Sequence, residues 1–421
     1  MQRQLVLPLA VAVLAACHDG AQPVAPVADV VGDVSNAADL SYLWVPLETR
    51  GENFESSARA INNAGQVVGS ASTAERTPCS PGVPCPPAPP SHAALWENGV
   101  MRDLGTLGGE RSEATQINER GEVVGWSSVA DGSTHAFFWD NGTMQDLGPV
   151  ALFPRGIFWG RVLWSPVHIN DRGQVIGNTP EGGAFLWEDG VMQALPLAFV
   201  TDINNQGQAA GWVMRADAGG VLRAIAALWE DGVVTELGTL GGESSSAFAI
   251  SNSGWVAGSS RTEPRPFMGG MIALTLPFRW RNGLMEDLGR PGNESIWPVL
   301  PFVGNRGQVV VTDPAVCLTE VWDHGAWQGL TGFGGCSWAQ AMNGQGAITG
   351  AARSFSGGPA FVWKDGVSYD LGMGLGRASR GQAINDPGVV AGYTGSSPFG
   401  TAWHPQAAIW VPVPDVVALV P

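Results

Sequence analysis

The chain's six histidines and 38 acidic residues are the side chains that could carry acid–base chemistry or hold a metal. His92 and His135 share one position, four residues before Trp96 and Trp139. The matching positions elsewhere hold Gly183, Ile225, Leu276, Leu318, Pro359 and Gln406, and a catalytic or metal ring would not vary so freely. The histidines therefore read as structural or surface groups. Carboxylates recur at Asp103, Asp146, Glu236, Asp287 and Asp370, each followed by Leu-Gly. They could line a cation channel, but a carboxylate just ahead of a turn glycine more simply accepts turn N–H groups. The chain carries no Gly-x-Ser-x-Gly elbow, His-Glu-x-x-His pair, dinucleotide glycine fingerprint or EF-hand loop. No metal site and no cofactor is expected. A glycosidase-like carboxylate pair assembled from distant segments is the one enzymatic arrangement that a single sequence leaves open.

Charge narrows the partners. The 421 residues carry a formal net charge of −16, with 22 basic residues of which Lys364 is the sole lysine. A general nucleic-acid binder is excluded on that balance. A phosphate-loop NTPase is excluded because Lys364 follows Trp363 rather than glycine.

The first segment is an address. Leu5–Ala16 is apolar but too short to span a bilayer, and fits a signal-peptide core. Its ending, Leu14-Ala15-Ala16-Cys17, resembles the lipobox of bacterial lipoproteins. That resemblance implies removal of residues 1–16, acylation of Cys17 and anchoring in a membrane through lipid alone. His18 stands where aspartate would retain many such proteins in the inner membrane, so the outer membrane or cell surface is the expected destination. Residues 17–40 read as a flexible tether, and 41–421 as the folded domain. Export makes disulfides plausible, and Cys79 with Cys85 and Cys317 with Cys336 are the expected pairs. A zinc site is the rival, but the spacing matches no zinc motif.

The elements that must position these residues come from a repeat. Tryptophan recurs at Trp44, Trp96, Trp139, Trp187, Trp229, Trp280, Trp322, Trp363 and Trp410, in steps of 41 to 52 residues. Between these lies Ile-Asn-x-x-Gly or a variant, opening at Ile61, Ile117, Ile169, Ile203, Ile250, Val303, Met342 and Ile384. Each unit translates into four short strands. Asn/Asp-Gly after the tryptophan makes a tight hairpin, and no stretch between Ser41 and Pro414 keeps a helical period. An all-β propeller of eight four-stranded blades is expected, closed by an N-terminal strand around Trp44 that completes the blade of Trp410. Seven blades with an insertion, or a β-solenoid, are the alternatives.

The motifs resemble those of the bacterial HAF-repeat family of extracellular proteins. The resemblance rests on His135-Ala-Phe-Phe-Trp139, Asp103-Leu-Gly-Thr-Leu-Gly-Gly109, Glu236-Leu-Gly-Thr-Leu-Gly-Gly242 and Ala60-Ile-Asn-Asn-Ala-Gly-Gln-Val-Val-Gly69. It implies an exported repeat protein and no settled activity.

The two turns of each unit keep constant lengths while the other two connections vary. In an up-and-down blade that leaves one face trimmed and the opposite face elaborated, and varied loops on a rigid scaffold are where binding concentrates. The variable segments hold Phe158, Trp159, Trp164, Trp297, Trp338 and Trp403, with Arg155 and Arg161 beside the first group. These are the candidate contacts for a glycan, a protein or envelope material. The leading function is a monomeric, non-enzymatic binding propeller. A hydrolase or lyase acting on extracellular polysaccharide, or a structural and adhesive envelope protein, are the alternatives.

Overall fold

Each Ile-Asn-x-x-Gly stretch folds as a turn that its asparagine organises. The Asn62 side-chain oxygen accepts the N–H of Gln66 at 3.0 Å, while Gly65 takes a φ of 83° that a side chain would strain. The second fixed turn follows the tryptophan. Its first residue is Asn98, Asn141, Asp189, Asp231, Asn282, His324 or Asp365, at φ between 46° and 52°, and a glycine at positive φ follows in every case. Two consecutive left-handed residues make the primed turn that matches the twist of paired strands.

These turns join the strands of eight four-stranded antiparallel sheets. The computed structural model describes residues 41–51, 54–75, 87, 89–151, 167–267, 270–289, 301–313, 318–330, 336–352, 358–374, 378–395 and 405–413. Blade 1 runs through Ser56–Ile61, Val67–Ser72, Ser91–Glu97 and Val100–Gly105, in that order from the channel outwards. The first strands of blades 2 to 8 are Gly108–Ile117, Val167–Ile169, Phe199–Ile203, Gly241–Ile250, Phe302–Val303, Ser337–Met342 and Ala378–Ile384. Each first strand contacts the first strand of the next blade, which closes an inner ring. The eight-bladed propeller expected from the repeat is the fold, and the seven-bladed and solenoid alternatives fall away.

Closure is by the N-terminal strand. Ser41–Pro46 forms the outermost strand of blade 8 and pairs antiparallel with Gln406–Val413, placing Trp44 opposite Trp410. The sheet edge that Gln406–Val413 would otherwise expose is thereby covered.

The third-strand tryptophans fill the gaps between blades. Trp139 packs with Val68, Leu95 and Leu104 of blade 1, and Trp410 with Val362 and Leu371 of blade 7. The glycine that ends each Gln-Val-Val-Gly motif has a separate cause. In blades 1 and 2 the first strand bulges opposite it, between Ala58 and Ala60 and between Ala114 and Gln116, whereas in blade 3 the described first strand is regular and the Phe185 ring lies against Gly177 instead. A Cβ on Gly69 would lie 1.9 Å from the Ser57 carbonyl oxygen, and one on Gly125 would lie 2.0 Å from that of Glu113. Blade 6 carries Val311 there, and its first strand is only two residues long with no bulge to clear.

One element has no precursor in the repeat. Arg265–Phe267 and Gly270–Ile272 pair as an extra hairpin between the second and third strands of blade 5.

Candidate functional site

The two ends of the propeller differ in what their residues do. At the end formed by the fixed turns, side chains are spent on joining blades. The Nδ2 of Asn62 donates to the carbonyl of Asn118, and Asn118, Asn170 and Asn204 continue the chain to Asn170, Asn204 and Ser251. Asn343 donates to Asn385, and Asn385 to Asn62, at distances between 2.8 and 3.0 Å. The next residue repeats the device, with the N–H of Glu119 donating to Asp171, of Asp171 to Asn205, and of Asp386 to Asn63. Crowding around this mouth raises the pKa of Glu119. Burial is the first cause, and the charges of Asp171 and Asp386 add to it against the bond from Asn63 N–H.

At the opposite end a serine five residues before the motif isoleucine clasps the preceding blade. Ser112 Oγ accepts the N–H of Ala93 and donates to the carbonyl of Gly105, and Ser245 does the same with Ala226 and Gly238. The recurrent carboxylates sit here in the role expected of them. Asp103 accepts the N–H of Gly105, and Asp146, Asp287 and Asp370 accept those of Gly148, Gly289 and Gly372, at 2.7 to 2.8 Å. Asp103 also pairs with His92 and Arg50, Asp146 with His135, and Glu236 with Arg215. These carboxylates lie one to a blade. They and the two repeat histidines are committed to turns and ion pairs.

The same end is elaborated. The second and third strands of blade 4, Ala209–Ala216 and Leu222–Glu230, run on into a hairpin that exposes Met214, Val221 and Leu222. The extra hairpin of blade 5 exposes Met271 at 65%. Among the expected ligand contacts, Phe158, Trp159, Trp164, Trp297, Trp403, Arg155 and Arg161 lie outside the described residues. Trp338 lies in the first strand of blade 7, where it is 4% exposed. Cys17, Cys79, Cys85 and Cys317 also lie outside the described residues, whereas Cys336 carries no free thiol.

The channel itself holds groups that the repeat did not mark. Gln116 Oε1 accepts the N–H of Ile169, which turns its Nε2 toward His168 Nδ1 at 3.0 Å. Asp202, 3.5 Å from the same His168 nitrogen, accepts the N–H groups of Ile203 and Ile250. Blades 2 to 5 are thus linked along one side of the channel. Nearer the elaborated end, Arg59 of blade 1 donates through Nε to Glu113 of blade 2, whose second oxygen accepts from Trp126 Nε1 at 3.3 Å. Phe199 stacks on Trp212 with ring centres 4.5 Å apart, and Phe248 of blade 5 meets Trp212 edge-on. The repeat does not announce these groups: the residue before the motif isoleucine, for example, is Gln116, His168 and Asp202 in blades 2 to 4 but alanine in blades 1, 5, 7 and 8.

Known structures share this architecture. The β-propeller domain of the Trilobed protease from Pyrococcus furiosus aligns at 11% identity and a TM-score of 0.45, over 76% of this chain and 98% of that one. A catalytically inactive virginiamycin B lyase from Staphylococcus aureus, crystallised with quinupristin, aligns at 10% identity and 0.41, over 88% and 99%. The Pyrococcus horikoshii acylaminoacyl peptidase aligns at 12% identity and 0.45, over 76% and 52%. The shared feature is the propeller. No family model and no curated protein matches the chain.

Proposed function

We propose that this is an exported, lipid-anchored, non-enzymatic propeller that binds a glycan, protein or envelope partner through its elaborated face. The observation that carries the reading is the asymmetry of the two ends. The fixed turns spend their polar side chains on blade-to-blade bonds, while the opposite end projects blade-specific hairpins with exposed Met214, Val221, Leu222 and Met271. The carboxylates that a polysaccharide hydrolase or lyase would need at that end are held in turn capping and ion pairs, which favours binding over turnover.

Anchoring at Cys17 follows from the Leu-Ala-Ala-Cys ending and stands in this reading with the outer membrane or cell surface as its location. A fatty-acid probe should label the wild-type chain and not Cys17→Ser; equal labelling of both rejects the anchor. The binding reading is tested with the Cys17→Ser chain, released in soluble form, on a glycan array and in pull-downs from envelope extracts. A retained partner that is lost when the blade 4 hairpin is cut back to the strands supports it. Retention unaffected by every change at that face overturns it.

A further inference from the structure

Arg59 is the charged group whose surroundings ask for an explanation. Protein surrounds its guanidinium, yet the side chain keeps 31% exposure, as a group projecting into an open channel would. Burial works against its charge, but the charge and hydrogen bond of Glu113 and the proximity of Tyr393 outweigh that, and its pKa is raised. Glu113 engages Nε alone. The two Nη groups have no acceptor among the described residues, and they form the end-on edge of the fork that suits the two oxygens of a carboxylate.

A second arginine belongs to the same neighbourhood. Arg380, in the first strand of blade 8, stands directly opposite Tyr393 across the strand pair, so the two share one sheet face. Two guanidinium groups against the single carboxylate of Glu113 leave a local positive charge in a chain whose net charge is −16. Half-buried aromatic rings flank it. Trp126 is tied to Glu113, and Tyr393 lies beside Arg59. Rings of this kind offer flat surfaces to the apolar faces of sugars while charged donors fix orientation.

We propose that Arg59 and Arg380, with Glu113, Trp126 and Tyr393, form a carboxylate-recognition site in the channel of blades 8, 1 and 2 that takes an acidic oligosaccharide. This deepens the binding reading above and rests on it. The role of Arg59 is to clamp the sugar carboxylate through both Nη groups, with Glu113 holding the guanidinium plane in place. Arg380 supplies the second positive charge. Glu113 remains an acceptor toward sugar hydroxyls through its unshared lone pairs.

Titration calorimetry of the Cys17→Ser chain with an oligogalacturonate, its methyl ester and a poly-glutamate of similar length tests the assignment. The acid oligomer should bind at least tenfold more tightly than the ester, weaken as salt rises, and lose at least tenfold in affinity in Arg59→Gln and in Arg380→Gln. Because Arg59→Gln removes the partner of Glu113 and could unfold the blade, Arg380→Gln and Arg59→Lys are measured beside it with thermal melts. Arg59→Lys should keep the melting temperature and still weaken the acid oligomer. Equal affinity for acid and ester overturns the carboxylate assignment while the binding reading stands. Arginine-dependent binding of poly-glutamate as tight as that of the oligosaccharide overturns the sugar assignment. No binding of the acid oligomer overturns the site, and overturns the function with it only if array and pull-down are also empty.

Discussion

At Gly125 the close approach of two strands can be converted into a stability measurement. A Cβ there would press on the Glu113 carbonyl at 2.0 Å and on the Phe137 ring at 2.9 Å. Because the bulge and the ring are both held by blade 2 packing, Gly125→Ala should cost about 1–3 kcal/mol in chemical denaturation. The corresponding Val311 of blade 6 faces no bulge, so Val311→Gly should lose stability through a missing buried side chain instead of gaining it. Equal responses at the two sites would mean that the bulge is not what demands glycine. Glu119 gives a second residue-scale expectation. Its folded pKa is raised, so the folded state binds more protons than the unfolded one between the unfolded value and the folded value. Stability contributed at this site therefore falls as pH rises through that window, and Glu119→Gln should flatten the fall. A steeper decline in the variant would contradict the sign.

Strands and turns are the scale at which the sequence was most legible, for a physical reason. A primed hairpin needs two left-handed residues, and few side chains accept that, so Asn-Gly and Asp-Gly announce it wherever it occurs. From sequence alone the asparagine of Ile-Asn-x-x-Gly is a turn former, which is half its work. Its oxygen caps its own turn while its nitrogen reaches the next blade, and only assembled blades reveal the second bond. The serine clasp is a spacing in the sequence, five residues before the residue that opens the motif, at Ser56, Ser112, Ser245, Ser337 and Ser379, but serine is too common to announce it. The extra hairpin of blade 5 and the channel residues Arg59, Gln116, His168 and Asp202 had no repeat pattern to announce them. If the clasps join blades, Asn118→Ala should leave the buried Asn170 carbonyl, the Glu122 carboxylate and the N–H groups of Arg120 and Glu122 each short of a partner, and cost on the order of 2 kcal/mol. Asn141→Ala, at an exposed hairpin, loses a left-handed preference and an exposed bond to Asp140, and should cost about 1 kcal/mol. A clasp variant no weaker than the hairpin variant in a denaturant series would remove the asparagine chain from the account of how blades hold together.

For the whole ring the question is where it opens first. A closed propeller has no free end, since Ser41–Pro46 seals blade 8, so the weakest junction is set by what joins neighbouring blades. The asparagine chain serves six junctions and stops at two. Blade 5 has Ser251 in place of asparagine, and blade 6 has Gly304, which has no side chain to donate. The first strand of blade 6 is the shortest among the described blades, at two residues. A different joint covers this gap. Arg279 of blade 5 lies between the rings of Trp255 and Trp322, 4.5 and 4.0 Å from their centres, and donates to the carbonyl of Gly307 at 2.9 Å. Glu286 holds its other edge at 2.7 Å. Ser253 Oγ donates to the Asn305 carbonyl and Trp327 Nε1 to that of Leu288 across the same junction, and the partly desolvated cation of Arg279 between two indoles adds about 2 kcal/mol. Amide hydrogen exchange should show blade 6 as the least protected blade, because its first strand is the shortest and the asparagine bond is missing at both its junctions. Arg279→Ala should speed exchange in residues 301–330 by roughly thirtyfold, the ratio for a loss of about 2 kcal/mol, while residues 112–140 keep their rates. Arg279→Lys should recover part of the protection, since an ammonium can still sit over one ring but cannot bond Gly307 and Glu286 in the same plane. Uniform acceleration around the ring would show that blades open together and that the arginine joint has no local role.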